Sequence, residues 1–157
     1  MSIGFIALAL FAGMCFAVQA SVNANLAHGL GDAPIVATLV SFTVGTLILL
    51  VVTLARGGLG SYLVQLPKQP AWTLAGGALG CMALFTTVFL TPRLGLANML
   101  LLIIFGQLTA AVTLDHFGFL GMAERHITPM RLMGLALMLC GVALVLQGDK
   151  WLAKFIN

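Results

Sequence analysis

The sequence predicts an all-α integral membrane protein, five transmembrane helices in a bundle, and three observations predict it. Of its 157 residues, 61% are hydrophobic and only 7% are charged, with a mean hydropathy of +1.14. A soluble chain carries about 25% charged residues to solvate its surface, so lipid must face most of this one. Charges and prolines then divide the chain at the interval of a membrane-crossing helix, which needs about 20 apolar residues to cover about 30 Å of hydrocarbon.

The first helix is expected over about Ile3–Asn25, since no charge precedes Asp32. No Lys or Arg precedes its apolar run, so it reads as a retained helix rather than a signal peptide. The second is expected over Pro34–Ala55, ended by Arg56-Gly57-Gly58. Leu59 to Gln69, with Gly60, Pro67 and Lys68, reads as a connecting loop bearing an interfacial Tyr62. The third helix follows Pro70, over about Ala71–Leu90, and Thr91-Pro92-Arg93-Leu94-Gly95 leaves room only for a tight turn into the fourth, about Leu96–Leu114. The fifth is Pro129–Gln147, with Thr128-Pro129 as N-cap and first helical residue. Pro34, Pro70, Pro92 and Pro129 all stand at or just before an expected start, where a missing N–H costs nothing. Residues 1–157 thus read as a single transmembrane domain.

The scarce charges exclude other classes. Basic residues exceed acidic ones by 7 to 4, but they are scattered singly, without the stripe of a nucleic-acid binder. With five spans, Arg56, Lys68, Arg125 and Arg131 fall on one side of the membrane and Arg93, Lys150 and Lys154 on the other. Such a division hardly specifies orientation, so insertion in both directions is open. Cys15, Cys81 and Cys140 lie singly in apolar stretches and read as small buried hydrophobes. His116, Glu124 and His126 have no metal-ligand spacing. No phosphate loop, nucleophile elbow or zinc-protease motif occurs, so neither an enzyme nor a cofactor is expected.

Small residues at four-residue spacing mark faces for helix packing: Ala9, Gly13, Ala17 and Ser21; Ala37, Ser41 and Gly45; Gly76 and Gly80; and, seven apart, Gly134 and Gly141. Polar groups inside or near the ends of the spans need partners or a wet cavity. Gln19 and Asn23, one turn apart, together with Ser41, Thr46 and Gln107, either join helices by hydrogen bonds or line a substrate path. Gln107 stands out, near the middle of the fourth helix. Asp115, at that helix's end, is either a proton carrier or a loop anchor paired with Arg131.

The series Gln19-x-x-x-Asn23, Pro34, Ser41-Phe42-x-x-Gly45-Thr46, Pro92-Arg93-Leu94-Gly95, Gly106-Gln107, Asp115-His116-Phe117-Gly118 and Arg131-x-x-Gly134 resembles the YdcZ-like family of the drug/metabolite transporter superfamily. The stretch from Thr128 to Val142 looks like the close of one EamA-type repeat. The resemblance implies a bacterial inner-membrane exporter, multi-pass, with a small metabolite or drug-like molecule as substrate. It also implies one half of a ten-helix inverted-repeat transporter. A single repeat cannot enclose a midplane site, so a dimer is expected, most simply an antiparallel homodimer, otherwise a pair with a homologous subunit. Related small multidrug-resistance proteins carry a glutamate in their first helix; here that helix has no acid, which favours a neutral or zwitterionic cargo. The alternative function is a non-transporting scaffold or partner subunit of a membrane complex.

Overall fold

A computed structural model describes residues 2–156, with the side chains of 149, 150 and 153–156, Lys150 and Lys154 among them, outside the described set. Every described element is helical, and five helices are long and apolar enough to cross a membrane: Ile3–Gly29, Pro34–Arg56, Ala71–Leu94, Leu96–Phe117 and Pro129–Gly148. The chain divides into two compact units, Met1–Arg93 and Leu94–Asn157.

In the first unit, α1 (Ile3–Gly29) and α2 (Pro34–Arg56) pack against each other. α1 runs a full turn past the expected Asn25, because Asn25 does not break it: its Nδ2 donates back to the Ser21 carbonyl at 3.1 Å. The stop is Gly31 at φ +76°, followed by Asp32 at φ +60°, a conformation Asp tolerates better than most residues. There the Ala33 N–H reaches the Ala27 carbonyl and the Gly31 N–H that of His28, each at 3.1 Å. These bonds satisfy carbonyls that the helix end would leave bare. Pro34 then occupies the first turn of α2.

The segment expected as loop is largely helical: α3 (Leu59–Gln65) and a 3-10 turn at Leu66–Lys68, then a second 3-10 turn at Ala71–Leu74 leading into α4 (Ala75–Leu94). Pro92 is not in a turn, as the sequence suggests, but inside α4. So near a helix end proline removes a single internal bond. The Thr91 hydroxyl donates to the Thr87 carbonyl at 2.7 Å, and the Arg93 guanidinium lies 3.6 Å over the Phe89 ring and donates to the Phe89 carbonyl. Ala27, Ala37 and Val88, from α1, α2 and α4, form the buried core, with Leu26 and Leu84 packed against it. Alanine at two of these three positions lets the backbones approach closely, the main source of cohesion between helices in lipid.

The second unit is a pair of packed helices, α5 (Leu96–Phe117) and α6 (Pro129–Ile156). α5 passes the expected Leu114 because Asp115 and His116 do not terminate a helix; Gly118, at φ +59°, does. α6 begins as the Thr128-Pro129 pair predicts, with the Arg131 N–H on Thr128 Oγ1 at 3.3 Å, and it continues beyond Gln147 since no proline follows Gly148. Met99 and Val142 are its buried apolar residues among those described. Most large apolar side chains of both units are exposed, which suits surfaces that lipid covers. The three cysteines are free and exposed, not buried as the sequence reading has it. A thiol is only weakly polar, so lipid covers it as readily as protein does.

Candidate functional site

In the first unit the polar groups of the spans separate into buried and exposed ones. Asn23 is 4% exposed, and its Nδ2 has no hydrogen-bond partner among the described residues. It lies on the face of α1 that carries the buried Ala20 and Ala27, three before it and four after. Gln19, one turn earlier, is exposed and lines an open groove with Phe11, Ala12, Cys15 and Phe16. The turn-apart spacing puts the two amides on the same side of α1. The buried strip, however, follows Ala20, Asn23 and Ala27 and leaves Gln19 at its margin.

On α2, Ser41 is partly buried and Thr46 exposed. The residue that sequence reasoning passes over is Thr38, only 7% exposed, beside the fully buried Ala37. Its hydroxyl donates to the Pro34 carbonyl at 2.8 Å, so unlike Asn23 it is satisfied within its own helix. The signal was there: Thr38, Ser41 and Gly45 stand at i, i+3 and i+7, one face of α2.

In the second unit Gln107 is exposed on α5. An open groove beside it is lined by Phe105, Gly106, Thr109, Ala110, Thr113 and Leu114. The groove's hydroxyls are used internally, Thr109 on the Phe105 carbonyl at 2.8 Å and Thr113 on the Thr109 carbonyl at 2.9 Å. Asp115 lies at the end of α5 with Oδ2 3.7 Å from Arg131 Nη1. Its carbonyl accepts the Arg125 N–H at 2.7 Å, and the neighbouring His116 accepts the Ile127 N–H on Nδ1 at 3.2 Å. That bond requires the neutral ring with its proton on Nε2. Glu124 and His126 approach to 3.5 Å at the surface. Among the described residues no group of three His, Cys, Asp or Glu is placed to hold a metal ion.

The packing glycines divide sharply. A Cβ on Gly80 would sit 3.6 Å from the Phe42 ring, so α4 meets α2 there. At Gly13, Gly45, Gly76, Gly134 and Gly141 a Cβ would meet no described atom within 4 Å.

Comparison with known proteins agrees with this architecture. The family model described as "Putative inner membrane exporter, YdcZ" matches residues 4–144, which include the core of every span. No curated protein and no solved structure matches the chain.

Proposed function

The chain belongs to the YdcZ family of inner membrane exporters, and from that premise we propose that this multi-pass protein moves a small neutral or zwitterionic molecule across the inner membrane by alternating access. Asn23 carries the reading. An amide donor held without an acceptor in an apolar interior costs about 1–3 kcal/mol. A purely structural helix avoids that cost with alanine, as Ala20, Ala24 and Ala27 around it do. A passing molecule with a carbonyl, hydroxyl or carboxylate oxygen supplies the missing bond, and a polar group inside a span is costly to keep there without such a use. Ser41, and Gln19 and Thr46 at the margins, extend the polar lining. No acid stands within α1, α2 or α4, so nothing there attracts a cation. The working form is a dimer, most simply of two oppositely inserted copies, because such a pair reproduces the inverted repeats that a ten-helix transporter carries in one chain.

The test begins with ligand-induced thermal stabilisation across a metabolite library, since a molecule that binds the folded state raises its stability by mass action. Counterflow of the best ligand in reconstituted vesicles is then compared between the native protein and Asn23→Leu. Loss of counterflow with unchanged expression and no loss of melting temperature is expected. Unchanged counterflow removes Asn23 from the pathway. Gln107→Ala tests the second unit's amide in the same assay, with loss of transport expected and normal transport removing it.

A further inference from the structure

The connection between α2 and α4 carries a pattern that neither the fold nor the transport reading uses. Over α3 and the 3-10 turn after it, Leu59, Tyr62, Leu63 and Leu66 recur at i, i+3, i+4 and i+7 and share one face. Ser61, Gln65 and Lys68 recur at i, i+4 and i+7 and share another. The polar row is linked within itself by Gln65 Nε2 on the Ser61 carbonyl at 3.4 Å. No residue of α3 or of the turn is buried, and Tyr62, Leu63 and Leu66 are among the exposed large apolar side chains.

Chain continuity says what covers this apolar row. The spans Pro34–Arg56 and Ala71–Leu94 flank the connection, so it leaves and re-enters the same membrane surface. Gly57 and Gly58, at φ +74° and +80°, break the helical path between α2 and α3. Pro70, with extended backbone, breaks the helical run before Trp72. Tyr62 and Trp72 are the residue types that settle at the headgroup level, and Arg56 and Lys68 are cations bracketing the segment.

We propose that residues 59–68 form an interfacial helix lying in the plane of the membrane, with Leu59, Tyr62, Leu63 and Leu66 sunk to the headgroup–acyl boundary and Ser61, Gln65 and Lys68 facing water. A short amphipathic segment tethered at both ends to spans needs little intrinsic affinity to remain there, because it never leaves the surface it binds.

The experiment places single tryptophans in the full chain. In a Trp72→Phe, Trp151→Phe background, Ser61, Tyr62, Leu63, Gln65 and Leu66 are each replaced by Trp. Each variant is reconstituted in phosphatidylethanolamine–phosphatidylglycerol vesicles doped with phosphatidylcholine brominated at shallow or deep acyl positions. Shallow-brominated lipid should quench positions 62, 63 and 66 severalfold more than 61 and 65, and aqueous iodide should do the reverse. Uniform iodide quenching means a loop projecting into water, and overturns the proposal. So does strongest quenching by the deep label, which means re-entry into the bilayer. Protection of 62, 63 and 66 from both quenchers means that protein covers the row, and also overturns it. If a tryptophan variant does not accumulate, cysteine at the same position, in a background with Cys15, Cys81 and Cys140 changed to Ser, is read by an impermeant maleimide. Labelling at 61 and 65 but not at 62, 63 and 66 is then expected, and equal labelling overturns the proposal.

Discussion

At the residue scale, the unpaired amide of Asn23 and the Asp115–Arg131 pair make opposite demands. Asn23 contributes nothing visible to the fold: its Nδ2 is buried without a partner, and its neighbours on the same face are alanines. Asn23→Leu, which exchanges the amide for a hydrocarbon of similar size, should therefore hold or raise stability by about 1–3 kcal/mol, the desolvation penalty it removes. Melting in detergent checks this, and a clear loss of stability would mean that the amide has a structural partner after all. Asp115 and Arg131 are each partly exposed, at 29% and 39%, and sit 3.7 Å apart. Arg131 Nη1 is itself buried without a hydrogen-bond partner among the described residues, but the contact is too long for a hydrogen bond and both side chains reach solvent, so a double-mutant cycle of Asp115→Asn with Arg131→Gln should return a coupling of about 0.2–1 kcal/mol. A coupling of several kcal/mol would mean that the pair is held away from water. A transport defect in Asp115→Asn with normal melting would instead favour a proton-carrying role for the carboxylate.

At the element scale, the glycine contacts give a test of how helices meet. Gly80 faces the Phe42 ring across α2 and α4, with space for a methyl group at 3.6 Å and not for more. Gly80→Leu should cost about 1–3 kcal/mol through overpacking, whereas Gly76→Leu, which meets no described atom within 4 Å, should leave the isolated chain unaffected. If Gly76→Leu nonetheless abolishes dimerisation in cross-linking or analytical ultracentrifugation, the Gly76 face is where a second copy packs. The contrast also marks what the sequence made legible. Hydropathy and charge spacing located all five spans, because membrane thickness imposes one length on each. Two ends lie further on than expected: Asn25, Asp115 and His116 all continue their helices, and the ends are instead set by Gly31 and Gly118, whose positive φ a spacing rule does not register. Within its own unit α1 buries Ala20, Asn23 and Ala27, and a Cβ on Gly13 would meet no described atom within 4 Å. Thr38 shares the face of Ser41 and Gly45, a row the sequence shows; that Thr38 is its buried end follows from Ala37 meeting the core, a fact of tertiary packing.

For the whole molecule, the decisive quantity is the distribution of a few cations. By chain order across five spans, Arg56, Lys68, Arg125 and Arg131 are expected on one side and Arg93, Lys150 and Lys154 on the other. Orientation is set by the excess of Lys and Arg in short segments near the span ends, and acidic residues count for little. Here the two sides differ by a single cation. A chain so balanced should insert both ways, and two copies in opposite orientations then supply the inverted pair that a transporter built from inverted repeats requires. C-terminal fusions to one reporter active only in the cytoplasm and another active only outside should both give signal. Adding one Lys beside Lys68 should drive the population toward the orientation with that side in the cytoplasm, and adding one beside Arg93 should drive it the other way. Neither variant alone should then transport as well as the native protein, whereas coexpressing the two should restore transport, since each supplies the orientation the other lacks. A native chain found in only one orientation would exclude the antiparallel homodimer. The functional pair would then have to be parallel or formed with a homologous subunit of opposite orientation.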